Sequence, residues 1–187
     1  MEKLILASCS PRRKELLTLA GIPFETASPD VDETCYLPVE QAVSELSARK
    51  AHAVAKQFPG RYILSADTLV SIDRQKLGKP HDTDEAAYML RKLSGRTHQV
   101  YTGVSVLSPA GSIFTGTDRS DVTFCNLTDD EIRSYILSGE PMDKAGAYAL
   151  QGHASLWISR VEGSFSSVIG LPLFLVRCLL LQSGYIV

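Results

Sequence analysis

The run Leu4-Ile5-Leu6-Ala7-Ser8-Cys9-Ser10-Pro11-Arg12-Arg13-Lys14-Glu15-Leu16-Leu17 decides both the opening of the fold and the first candidate site. Four apolar residues of strand length lead into a turn of small residues and then a helix start. Ser10 suits an N-cap. Pro11 suits the first helical position, where its missing N–H costs nothing and its fixed φ fits the helix. The first helical turn then offers free backbone N–H groups and the positive end of the helix dipole, which together attract anions. Arg12, Arg13 and Lys14 put three cations at the end where the dipole favours acids. A local rule broken in this way marks a candidate functional site. The plainer alternative is a solvated basic cluster on a surface helix.

Outward from this run, the helix carries Leu16, Leu17, Leu19 and Ala20 and stops at Gly21. Residues 22–27 read as an edge strand, with Pro23 at its start. Residues 38–58 form the strongest helical pattern, with Val39, Ala42, Val43, Leu46, Ala53 and Val54 at near-helical spacing and Pro38 fitting an N1 position. A β-rich segment covers 61–72, and a helix capped by Asp82 or Thr83 runs to Leu93. Residues 97–107 and 113–124 read as a hairpin around Ser108-Pro109-Ala110-Gly111. Thr128 and Glu131 form a capping box for a helix that ends at Ser138-Gly139. A strand at 157–161 and an apolar helix opened by Gly170-Leu171-Pro172 complete a mixed α/β order.

Several polar residues interrupt this pattern. The loop 28–34 carries Asp30, Asp32 and Glu33. It is either a solvated acidic turn or a place for Mg²⁺, which takes one or two carboxylates plus substrate oxygens. Lys50 stands among Ala48, Ala51 and Ala53, short neighbours past which a lysine can reach, although a solvated lysine is the commoner outcome. Asp67-Thr68 breaks an apolar strand in its middle, where an unpaired carboxylate is costly, so Asp67 must meet a cation, a strand end or a cleft. His98 within a strand reads as a hydrogen-bonded structural histidine. The segment 139–152 is rich in Gly and Ala yet carries Glu140, Asp143, Lys144 and Gln151, small residues for close approach and polar ones for contacts. Ser8, Arg12, Arg13, Lys50, Lys79 and Lys144 as cations and donors, with Glu33 and Asp67 as carboxylates and Gln151 as an amide, suit a polyphosphate substrate with a divalent metal.

Composition narrows the classes. The 187 residues carry 19 Lys and Arg against 21 Asp and Glu, a net charge of −2, unlike the basic chain of a duplex nucleic-acid binder. Cys9, Cys35, Cys125 and Cys178 are too scattered for a CxxC site and read as reduced thiols of a cytosolic protein. No apolar run reaches the length of a membrane span, and the start shows no signal-peptide pattern. A GxxxxGK[ST] loop is absent, and the four histidines have no metal-ligand spacing, which argues against a P-loop NTPase and a zinc hydrolase.

Taken together, residues 4–17, Asp32-Glu33, Ser65-Ala66-Asp67-Thr68, Gly78-Lys79-Pro80, Leu93-Ser94-Gly95 and Gly139-Glu140-Pro141-Met142-Asp143-Lys144-Ala145-Gly146-Ala147-Tyr148 resemble the Maf family of nucleoside triphosphate pyrophosphatases over nearly the whole chain. The segment Asp143–Tyr148 followed by Gln151-Gly152 looks like the dTTP/UTP branch. The resemblance implies residues 1–187 as a single Maf-like domain. Its fold would be a mixed α/β one, a twisted sheet flanked by helices with two lobes around a central cleft, similar to the inosine triphosphate pyrophosphatases. It implies a hydrolase of phosphorus-containing anhydrides that converts dTTP and UTP, or modified pyrimidine nucleotides, to the monophosphate and pyrophosphate. By the same resemblance Asp67 is the proton acceptor, and Arg13, Thr68 and Gln151 bear on base choice. Ser8, Arg12, Lys50, Lys79 and Lys144 hold phosphates, and Glu33 and Asp67 hold Mg²⁺ or Mn²⁺. A cytoplasmic homodimer is also implied. Cys9 is the one visible variation, at a position where small or polar residues are usual. A nucleotide-binding regulator of cell division with incidental catalysis is the alternative reading.

Overall fold

The computed structural model describes residues 2–186. The chain divides into two compact units. Among the described residues the first comprises 2–68, 102–118 and 170–186, and the second 69–101 and 119–169. Among the described residues a seven-stranded twisted sheet is formed by β1 (Leu4–Ala7), β2 (Phe24–Ala27), β3 (Ile63–Ile72), β4 (Gln75–Leu77), β5 (Thr97–Leu107), β6 (Ile113–Phe124) and β7 (Ile158–Glu162). The strand order is β2-β1-β3-β5-β6-β7, with β4 paired to β3. The helices are α1 (Pro11–Leu19), α2 (Val39–Ala55), α3 (Thr83–Leu93), α4 (Asp129–Leu137), α5 (Phe165–Ile169) and α6 (Leu173–Gln182).

In the first unit β1 pairs in parallel with β2 on one side and β3 on the other. A strand enclosed between parallel neighbours is buried on both faces, which is why its four residues are all apolar and all buried. Pro11 takes the first helical position behind Ser10, as the sequence predicts, but the Ser10 side chain makes no cap bond. Instead the Ser10 N–H donates to Ser8 Oγ at 3.2 Å. β2 lies at the sheet edge, and Pro23 falls just before it. α2 begins at Val39, one residue later than expected, so that Pro38 takes the N-cap in place of the first helical position, and it ends at Ala55, short of the expected residue 58. Its inner face, Ala51 and Val54, packs with Ile5, Ala7, Ile63 and Leu107 in one small core.

β5 passes very close to α2. A Cβ at Gly103 would stand 2.2 Å from the Val43 carbonyl oxygen, so only glycine fits there. Three serines of zero exposure fasten the same layer. Ser65 Oγ on β3 donates to the Ser47 carbonyl on α2 at 2.6 Å, and Ser47 Oγ shares a 2.7 Å hydrogen bond with Ser105 Oγ on β5.

The second unit holds the larger core. α3 buries Ala86, Met89, Leu90 and Leu93 at helical spacing, behind an Asp82 N-cap whose side chain accepts from Glu85 N at 2.8 Å. The Thr128–Glu131 capping box opens α4 as expected. Asp73 and Arg74, both at positive φ, make the two-residue turn into β4, a strand that the sequence pattern leaves unrecognised because it is only three residues long. An edge-to-face aromatic group of His98, Phe124, Tyr148, Tyr135 and Trp157 fills this core. The segment 140–157 contains three 3-10 turns, Glu140–Asp143, Ala145–Ala147 and His153–Trp157. All four cysteines are free thiols. No described helix is long and apolar enough to cross a membrane.

Candidate active site

The first unit gathers most of the expected residues, and the sequence explains how. β3 delivers Asp67 and Thr68. α2 delivers Lys50, one turn beyond Ser47. The β1–α1 junction delivers Ser8, Arg12 and Arg13. Lys50 and Asp67 are both buried, and Lys50 Nζ lies 2.6 Å from Asp67 Oδ1. The same nitrogen lies 2.7 Å from Glu33 Oε1, whose side chain is 55% exposed. Of the two outcomes open for Lys50, the buried one is therefore realised. The short alanines around it leave room for its stem, and two carboxylates receive its charge.

The acidic loop is pinned by the residue next to Lys50. Arg49 Nη1 donates to the carbonyls of Thr34 at 3.1 Å and Asp32 at 3.4 Å, while its Nε donates to Glu45 at 2.8 Å. Asp32 Oδ1 accepts from Thr34 N at 2.8 Å and closes an Asx turn. Asp32 is thus a structural acid, and Glu33 is the one presented to Lys50. No motif or spacing in the sequence marks Arg49.

Arg13 is held entirely by protein groups. Its Nε donates to the Gly170 carbonyl at 2.8 Å, Nη1 to Ser8 Oγ at 3.2 Å and Nη2 to Thr68 Oγ1 at 3.2 Å. Thr68 Oγ1 is in turn 3.0 Å from the buried Thr102 Oγ1. Arg12, half-buried, makes no hydrogen bond or ion pair among the described residues, which leaves its donors for a ligand. Burial pushes the Arg13 guanidinium below its ordinary value, with Asp67 opposing that effect. Burial likewise raises the Asp67 carboxyl above the ordinary carboxylate value, against the pull of Lys50 and then Arg13. A carboxylate made more basic by burial, yet still ionised by a lysine partner, can take a proton from water.

Lys79, Lys144 and Gln151 belong to the second unit. Lys79 and Gln151 are exposed. Lys144 Nζ donates to the Glu140 carbonyl at 2.8 Å and to the Asp143 carboxylate, so two of its three N–H groups already serve the turn that carries it. Gln151 sits before Gly152, whose φ is +128°. A Cβ at Gly152 would stand 2.3 Å from Glu140 Oε1. That carboxylate accepts from Tyr135 Oη at 2.9 Å and from His153 N at 3.4 Å. Glu140 thus braces the turn that presents Gln151, a role that its place in the sequence motif did not reveal. His98 is the structural histidine the sequence predicts. Its Nε2 meets Tyr148 Oη at 2.7 Å, and burial lowers its pKa to about 4.

Glu33 and Asp67 fit a divalent cation by donor chemistry. Both offer hard oxygen donors, and both already share one cationic nitrogen. No group of three or more His, Cys, Asp and Glu side chains that could form a protein cage is found among the described residues. A pair of carboxylates completed by substrate oxygens is the arrangement Mg²⁺ and Mn²⁺ favour.

Comparison with known proteins places the chain in a family. The family profile described as Maf-like protein matches residues 3–183 and so spans both units. A dTTP/UTP pyrophosphatase of Geobacillus sp. (strain WCH70) is 51% identical over 176 residues, covering 92% of this chain and 94% of that protein. A dTTP/UTP pyrophosphatase of Bacillus cereus (strain G9842) is 47% identical over 175 residues, covering 92% and 91%. Among solved structures, the Staphylococcus aureus Ham1 protein aligns over 97% of this chain and 99% of its own with a TM-score of 0.57. At 13% identity that likeness speaks for the fold alone.

Proposed function

The chain belongs to the Maf family, and we propose that it hydrolyses dTTP and UTP to the nucleoside monophosphate and pyrophosphate. It is a nucleoside triphosphate pyrophosphatase, a hydrolase of phosphorus-containing anhydrides. The observation that carries this reading is the buried Lys50–Asp67 ion pair in the same unit as the Arg12-Arg13 helix start. The first supplies a basic carboxylate, and the second supplies cationic donors for phosphate.

In this reading Asp67 accepts a proton from a water molecule. The water oxygen bonds to the α-phosphorus, the bond from that phosphorus to the bridging oxygen breaks, and pyrophosphate leaves with the electron pair. Ser8, Arg12, Lys50, Lys79 and Lys144 hold phosphate oxygens and offset the developing charge. A divalent cation held by Glu33 and Asp67 would supply further charge neutralisation at the triphosphate. Arg13, Thr68 and Gln151 govern base choice. The hydrogen bonds of Arg13 to Ser8, Gly170 and Thr68 support its separation from Arg12, since an arginine so engaged orients its neighbours more than it clamps a mobile phosphate. We further assign the enzyme to the cytoplasm as a homodimer, with light scattering of the purified chain as the check.

The deciding experiment is a panel of dTTP, UTP, dCTP, ATP and GTP with Mg²⁺ or Mn²⁺, with pyrophosphate and orthophosphate measured separately. Pyrophosphate release confined to dTTP and UTP is expected. Orthophosphate as the first product would place cleavage at the wrong bond, and equal turnover of all five would remove the base assignment.

A further inference from the structure

Lys50 occupies an unusual position for a phosphate-binding lysine. It is 6% exposed, and its ammonium is bound at once by Asp67 and Glu33 at 2.6 and 2.7 Å. An ammonium between two carboxylates is the organic equivalent of a metal ion between them. Drawing it away would leave the buried Asp67 carboxylate and the buried ammonium uncompensated, which is strongly unfavourable unless another anion receives the lysine. The surrounding charge points the same way. Arg13 acts on both Asp67 and Glu33 through space, and Arg12 lies beside Arg13. Two cations, Lys50 and Arg13, thus offset two carboxylates, so a free dication meets a pair that is already neutralised.

We propose that Lys50 is the resident counter-ion of the Glu33–Asp67 pair and that it releases the pair to a divalent cation only when nucleotide phosphates arrive to accept its ammonium. The inference rests on the pyrophosphatase reading for the identity of the anion. It makes nucleotide and metal binding one coupled event. The triphosphate supplies the acceptor for Lys50, the missing oxygen ligands for the cation and the negative charge that the site lacks. It also accounts for a lysine sharing one layer with the acids: the buried serines Ser47 and Ser65 stand three and two residues before Lys50 and Asp67 and fix helix to strand.

Calorimetric titration with MnCl2 tests the coupling without reference to turnover. Wild-type chain titrated alone is expected to bind Mn²⁺ at least ten-fold more weakly than chain saturated with a non-hydrolysable α,β-imido analogue of dUTP. Lys50→Met, titrated alone, is expected to bind Mn²⁺ at least ten-fold more tightly than wild type. That gain should vanish in the Lys50→Met, Glu33→Gln double variant. Equal Mn²⁺ affinity of the wild type with and without the analogue overturns the proposal, and this arm needs no variant to fold. A folded Lys50→Met chain with wild-type affinity for Mn²⁺ alone overturns it as well. The pyrophosphate assay reports separately on the reaction. Failure there with an intact ten-fold coupling indicts the pyrophosphatase reading, whereas normal turnover without coupling indicts the role given to Lys50.

Discussion

Lys50 Nζ and Asp67 Oδ1 form a 2.6 Å ion pair whose side chains are 8% and 10% exposed. One partner comes from a helix and the other from the middle of a strand, 17 residues apart. Each resolves the other's difficulty: the carboxylate is not left unpaired in a strand, and the lysine is not left unpaired beside a core.

Asp67→Asn keeps the shape of this pair and removes the base. Pyrophosphate release from dTTP should fall by about 10²-fold or more, the usual range for a positioned general base, with the circular-dichroism spectrum unchanged. Turnover like that of the wild type would remove Asp67 from the mechanism.

The pH profile carries a signed expectation. Burial holds the Asp67 carboxyl above its ordinary value, and Lys50 is the main group pulling it back. Activity should therefore decline, as pH falls, at a higher pH than an exposed aspartate would allow. Lys50→Met should displace that acid limb further upward. A downward displacement of the acid limb of kcat/KM would contradict the account.

Ser65→Ala removes the hydroxyl that ties β3 to the Ser47 carbonyl. A buried hydrogen bond of this kind contributes about 1 kcal/mol, so the loss in urea-unfolding free energy should be of that order. Because Asp67 lies two residues on, kcat should fall more than the stability change alone explains. A Val54→Ala control, which loosens the same core without touching the serines, should leave kcat near its starting value.

Gly152→Ala places a side chain where φ is +128° and Glu140 Oε1 would be 2.3 Å from it. Backbone strain of this sort costs about 1–3 kcal/mol, and Glu140 must give up its place against Tyr135. The ratio of kcat/KM for dTTP over dCTP should drop, since Gln151 precedes this glycine. A lowered melting temperature with an unchanged ratio would confine Glu140 to stability.

His98 gives the stability of the protein a pH dependence of definite sign. Its pKa is lowered from 6.5 to about 4 in the folded chain, so the folded state excludes a proton that the unfolded state binds. The associated stability is complete above the unfolded value of 6.5 and is lost as pH falls toward about 4. It amounts to roughly 3 kcal/mol at most, from about 1.4 kcal/mol per pKa unit. Urea unfolding at pH 7 and pH 4.5 measures it, and a His98→Gln chain should show a flatter dependence.

Much of the fold was legible because local rules acted alone. The apolar run 4–7, the proline at the first position of α1, the capping box of α4 and the spacing of α3 each depend on neighbours within a few residues. β4 and the 3-10 turns within 140–157 escaped, being too short for any period to show. At the site, Asp67 was visible as a carboxylate interrupting an apolar strand, and Ser8, Arg12 and Arg13 as a basic helix start. Arg49 and the serines Ser47 and Ser105 were not, and Glu140 and Ser65 showed only as motif members without their roles, since the contacts that define those roles reach beyond any local pattern.

By itself, then, the sequence determined the element types, the anion-attracting start of α1 and the need of Asp67 for a partner, because propensity, capping and burial cost are properties of the chain read locally. Only the tertiary structure decided which lysine met Asp67, that Glu33 rather than Asp32 joined it, and that the two arginines parted company. Adjacent helical residues point about 100° apart. That rotation turned Arg13 inward to Ser8, Thr68 and Gly170 and left Arg12 with its donors unspent.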